Sequence, residues 1–144
     1  MGAHSDSHLW VASFDGALAR VWAADDQGRL HERPGDGLDG RANSEALRDG
    51  GRGEGQPDLP HAGYREAWDE PRFVEHFAKR LAERAQQGAF DRLIVAADPR
   101  ALGYFRGCAP EPLKQRVVAE VGRDYVHTPV KELEAALAEL LAQA

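Results

Sequence analysis

The residues best equipped for chemistry in this chain are a group of cations near position 80, several aspartates, six histidines and one cysteine. Arg72, Lys79, Arg80 and Arg84, with Arg92 beyond them, cluster on or beside one strongly periodic segment. Contacts to phosphate need several positive charges converging on one face rather than a basic chain. These residues are therefore the candidates for a nucleic-acid face, with His61 and the glycine-rich stretch around it as further contacts. A solvated helix surface is the plain alternative, because Glu75 and Glu83 interrupt the cluster.

The other candidates have simpler explanations. Asp15, Asp25, Asp91 and Asp98 could converge as metal-binding carboxylates, but Asp15, Asp91 and Asp98 each fit a turn or a helix cap. His4, His8, His31, His61, His76 and His127 form no HExxH or other compact ligand spacing. His127 stands just before a predicted helix cap, where capping or strand packing explains it. Cys108, in Gly-Cys-Ala-Pro near the predicted start of a short helix, reads as a small apolar filler. Every serine precedes residue 45 and none lies in a GxSxG elbow. Gly50–Gln56 could turn backbone N–H groups toward an anion, yet the stretch is no GxxxxGK[ST] loop and does not join a strand to a helix. No catalytic residue, metal or cofactor is assigned on these patterns.

The elements that must position these residues follow from periodicity. Leu93–Ala97 is an uninterrupted apolar run, as in a strand covered on both faces. Before it, Phe73, Phe77, Leu81 and Ala85 recur at four-residue spacing, which predicts a helix over 69–87. Pro71 suits its first turn, Asp69 or Glu70 its cap, and Gly88 its end. Glu75–Lys79 is a favourable i,i+4 pair on that helix and Arg80–Arg84 an unfavourable one. After the strand, Asp98-Pro99 predicts a second helix through Phe105, and Pro110–Gln115 a third. Arg116–Val121 is β-branched enough for another strand, and Gly122–His127 reads as a turn and an edge strand. Thr128-Pro129 opens a last helix with Val130, Leu133, Leu137, Leu140 and Leu141 on one face.

At the other end, Leu9–Ala24 divides around Asp15-Gly16 into a hairpin, and a turn at Asp26-Gln27-Gly28 leads to a third strand. The result is an antiparallel meander, then an α/β unit. Residues 34–69 read as a long glycine-rich flexible loop, since glycine at 35, 37, 40, 50, 51, 53 and 55 is entropically costly to order. The 144 residues suffice for a single domain over 1–144 with its own core.

A net charge of −6 argues against indiscriminate binding to nucleic acid, though not against a local basic face. The polar start MGAHSDSH is no signal peptide of the usual type, and no run approaches a membrane span. One cysteine excludes an intrachain disulfide framework, so a reducing cytoplasm is the expected compartment.

Several motifs occur in a recognisable order: WVASFDGALARVW at 10–22, FAKRLAE at 77–83, GAFDRLIVAADPRALGYFR at 88–106 and LKQRVVAEVGRDYVH at 113–127. Together they resemble the bacterial host attachment family, the proteins required for attachment to host cells. That family is similar to the middle domain of archaeal and eukaryotic peptide-chain release factors. The resemblance implies a mixed five-stranded sheet flanked by helices, and a cellular role in colonisation. The release-factor loop carries Gly-Gly-Gln, whereas this chain has Gly53-Glu54-Gly55-Gln56, so peptidyl-tRNA hydrolysis is not carried over to Gln56. RANSEALRDGGRG likewise replaces the family's usual Arg-Pro-Gly-Arg-Ser-Phe-Asp-Ser type of segment.

Three readings follow. The first is a non-catalytic intracellular binding domain whose partner is RNA, the ribosome or another protein. The second is a protein-interaction module, homodimeric or not, acting indirectly in attachment. The third is a metal-dependent hydrolase or nuclease built on carboxylates such as Asp15 and Asp98.

Overall fold

A computed structural model describes residues 8–40 and 69–144. Strand β1 (Leu9–Phe14) turns back as β2 (Leu18–Ala24), antiparallel and in register from Leu9↔Ala24 to Phe14↔Ala19. Asp15 makes the turn: its Oδ1 accepts from the N–H groups of Ala17 and Leu18, both at 2.8 Å. Gly16 belongs there because a Cβ would run into the Glu70 side chain. Strand β3 (Leu30–Glu32) pairs with the far end of β2 after a turn in which Gly28 takes φ +80°, a conformation open mainly to glycine.

The chain does not loosen at Pro34. Pro34–Asp36 forms a 3-10 turn and β4 (Leu38–Asp39) pairs with the start of β2. This short strand makes the sheet six-stranded rather than five-stranded. The remainder of the predicted loop, 41–68, lies outside the described residues.

Helix α1 (Glu70–Gln86) follows the sequence pattern closely. Asp69 caps it by accepting from the Arg72 N–H at 3.0 Å, and Phe73, Val74, Phe77, Ala78, Leu81 and Ala85 are buried. Gly88, at φ +82°, lets the chain turn away. Strand β5 (Arg92–Ala97) pairs in parallel with β1, Leu9↔Arg92 through Phe14↔Ala97. Helix α2 (Pro99–Cys108) is capped by Asp98, which accepts from the Ala101 N–H at 2.8 Å. The short α3 (Glu111–Lys114) leads to β6 (Val117–Val121), parallel to β5 with a register shift that adds Val118.

The sheet order is β3-β2-β1-β5-β6, so the hairpin strand β1, not an outer strand, stands beside β5. All six residues of β1 are buried. Trp10, Ala12 and Phe14 pack on one face with Phe73, Phe77, Leu81, Leu102 and Phe105 from α1 and α2. Phe14 joins those two helices, its ring 5.3 Å from that of Phe77 and 5.6 Å from that of Phe105. Such aromatic pairs add about 0.5–1.5 kcal/mol beyond the burial of their area. Leu9, Val11, Trp22, Ile94 and Ala96 face the other way and pack on Tyr125, Leu133 and Leu137.

The segment 122–127 is not an edge strand. Tyr125 and Val126 are buried, the Tyr125 N–H donates to Ser13 Oγ at 2.7 Å, and Arg20 Nη1 donates to the Val126 carbonyl at 2.8 Å. Side chains of the sheet thus meet backbone groups that an edge strand would have paired with β6. The final helix also differs. Thr128 is not its cap; Pro129 holds that position without a side-chain bond, and Leu137 divides the segment into α4 (Val130–Ala136) and α5 (Ala138–Gln143).

Candidate functional site

The cations that the sequence groups together fall into two pairs on α1. Arg72 is exposed in the first turn, with no side-chain ion pair among the described residues. Lys79 lies two turns on along the same side, and its Nζ is 3.9 Å from Glu75 Oε2, both side chains being exposed. Arg80 and Arg84 share the adjacent side and are only half-exposed. Each reaches the 3-10 turn before β4: Arg80 Nη2 donates to the Gly35 carbonyl at 2.9 Å and Arg84 Nε to Asp36 Oδ1 at 2.5 Å. The repulsion expected of an Arg80–Arg84 pair is thereby met by a carbonyl dipole and a carboxylate.

Asp36 holds a second guanidinium. Arg33 Nε donates to its Oδ2 at 2.7 Å, and the Arg33 guanidinium lies over the Trp10 ring, 4.6 Å from its centroid. Trp10 in turn packs on Phe90 with centroids 4.8 Å apart. Burial works against the Asp36 charge, but the hydrogen bonds from Arg84 and Arg33 outweigh it and hold the carboxyl below the usual aspartate range. The bond to Asp36 raises Arg84 in return. Arg33, Asp36 and Arg84 line an open depression of about 570 Å³ together with Glu32, Gly35 and Gln87.

Neither Arg33 nor Asp36 is legible as a site residue from sequence. Asp36 stands in Gly-Asp-Gly and reads as a turn; its partner Arg84 is 48 positions away. Arg92, counted with the basic cluster, instead lines a depression with Leu9, Asp25, Gln27 and Glu134. His61 and the glycine-rich stretch 50–56 lie outside the described residues, as does His4.

Asp15 and Asp98 take the turn and cap roles expected of them, engaging backbone N–H groups, whereas Asp91 bonds the backbone 83 positions away, its Oδ1 accepting from the His8 N–H at 2.7 Å. Asp25 Oδ1 accepts from the N–H groups of Gln27 and Arg29, while its Oδ2 lies 2.9 Å from His31 Nε2. Among the described residues no three or more His, Cys, Asp or Glu side chains gather as a metal site. His127 is exposed and lines a separate depression with Arg20, Glu32 and Asp39.

Cys108 lies at the end of α2 rather than at the start of a helix. Burial pushes its thiol pKa up and Glu75 adds to the effect, while a helix C-terminus disfavours a thiolate. Among the described residues no helix is long and apolar enough to cross a membrane.

The family model described as "Protein required for attachment to host cells" matches residues 10–137. No curated protein matches the chain.

Proposed function

We propose that this chain, which belongs to the family of proteins required for attachment to host cells, is a non-catalytic intracellular domain that binds RNA, free or ribosomal. The contact is electrostatic, through Arg72, Lys79, Arg80 and Arg84 on α1, with attachment as a consequence in the cell. The single observation that carries this is the gathering of Arg33, Arg80 and Arg84 around one carboxylate, Asp36, and its neighbouring turn. Three guanidinium groups outnumber two carboxylates, Asp36 and Glu83, whose charge also acts on Arg84, and leave a local positive excess on an acidic chain, which is what a phosphate backbone seeks. The resemblance to the release-factor middle domain points the same way, toward ribosomal RNA.

Two observations favour binding over catalysis. The carboxylates of Asp15 and Asp98 are engaged with backbone N–H groups, and the Cys108 thiol is held in its poorly nucleophilic form. A second reading, a protein-interaction module, draws on Val118, which the register shift leaves 47% exposed on the outermost strand β6.

The test is fluorescence anisotropy of a labelled single-stranded RNA over a range of KCl, with a ribosome-sedimentation assay alongside. Salt-sensitive binding is expected, and reversing Lys79 and Arg80 together to Glu should weaken it at least tenfold. Absence of salt-sensitive binding to either would sink the proposal. Partners retained from cell extract after nuclease treatment would favour the protein-interaction reading instead.

A further inference from the structure

We infer that Arg33 and Arg84, set on Asp36, form a phosphate-accepting subsite for one phosphodiester of the bound RNA; this rests on the RNA-binding reading above. Both arginines reach Asp36 through Nε, one to each carboxylate oxygen. That leaves their terminal nitrogens for other work. Neither Nη of Arg33 has a hydrogen bond among the described residues, and Arg84 engages only Nη1, at 3.2 Å from Gln87 Oε1. Their side chains are 45% and 36% exposed, while that of Asp36 is 8% exposed. The carboxylate is therefore the buried anchor and the guanidinium tips are the accessible part.

The tips are also held in place before any ligand arrives. Arg33 lies on the Trp10 ring, which is itself wedged against Phe90. Arg84 is fixed by Asp36 on one side and Gln87 on the other. Immobilised forks of this kind match phosphate oxygens and lose little side-chain entropy on binding. Charge favours the same ligand. Arg33, Arg84 and Arg80, which stands beside them on the Gly35 carbonyl, outnumber the two carboxylates whose charge acts on Arg84, Asp36 and Glu83. The remaining acid on the depression, Glu32, is neutralised by Arg20, whose Nε and Nη2 reach its two oxygens at 2.9 and 2.6 Å. The Gln87 amide, with its oxygen facing Arg84, keeps an N–H₂ group as a neutral donor.

Arg33 is thus a binding residue that lies off α1 altogether, and Asp36 is a positioning residue. The experiment measures single-stranded RNA affinity against KCl for the full chain and for Arg33→Ala and Arg33→Lys. It is paired with an NMR titration of the full chain with inorganic phosphate, following arginine Nε–H signals. Loss of one phosphate contact should flatten the slope of log K against log salt by about 0.7 and weaken binding several-fold whatever the RNA sequence. Arg33→Lys should keep the slope but recover only part of the affinity, since it keeps the charge and loses the fork. In the titration the Nε signals of Arg33 and Arg84 should move. That of Arg106, whose Nε and Nη2 are both engaged by Glu120, should not. RNA binding that Arg33→Ala leaves unchanged in slope and affinity would overturn the subsite and spare the wider reading. No RNA binding by the full chain would remove the wider reading; the phosphate titration then decides the subsite alone, and equal behaviour of Arg33, Arg84 and Arg106 would overturn it.

Discussion

Gly37 and Gly103 occupy opposite circumstances. A Cβ on Gly37 would lie 2.6 Å from the Ala19 carbonyl oxygen, a backbone atom of β2 that cannot swing aside. Gly103, inside α2, has nothing within 4 Å of its would-be Cβ. Gly37→Ala should therefore push β4 off β2 and destabilise the fold by roughly 1–3 kcal/mol. Gly103→Ala should stabilise it by about 0.5–1 kcal/mol, because a helical glycine carries excess unfolded-state entropy. Urea unfolding of the two variants checks the signs; a destabilised Gly103→Ala would show that α2 is more tightly covered than its surroundings indicate. The same scale shows what a sequence reveals. Asp69 and Asp98 are legible as caps because each bonds an N–H three residues away. Asp36 is not, because its meaning comes from Arg84 on another element.

Among elements, the β2–β3 turn is the one that answers most directly to pH. The hydrogen bond with His31, then the N–H groups of Arg29 and Gln27, bring the Asp25 pKa down to about 2. A carboxyl with its folded pKa below the unfolded one stabilises fully above the unfolded value, near 4. That contribution fades as pH falls through about 2. Amide exchange at Gln27 and Arg29 should accordingly speed up, beyond the intrinsic pH trend, between about pH 4 and pH 2. Asp25→Asn should blunt that change. A turn whose protection is flat across this range would contradict the role given to Asp25. Elements defined by their own periodicity, α1 above all, were readable in advance, since the apolar face of a helix is written in consecutive turns. Residues 122–127 read in sequence as a turn and an edge strand. Their fate is decided by Ser13 and Arg20, more than 100 positions earlier.

For the molecule as a whole, the centre of the sheet joins β1 to β5, residues separated by 83 positions at Leu9↔Arg92. The α/β class and the helical layers were legible from the apolar runs. The parallel partnership of β1 was not, because a hairpin announces only its local neighbour. Gly40 and the first turn of α1 are neighbours in space. Gly40 donates its N–H to the Ala17 carbonyl at 2.8 Å and lies against the ring of Phe73, in the first turn of α1. Residues 1–68 and 69–144, co-expressed as separate polypeptides, should find each other and co-purify with the circular dichroism of the intact chain, because β1 and β5 pair across the cut. Either alone should be unfolded, since one lacks β5 and the other lacks β1; pieces that never associate would refute this. The fold would then behave as a complementing pair of fragments, with β1 as the strand that one half donates to the other.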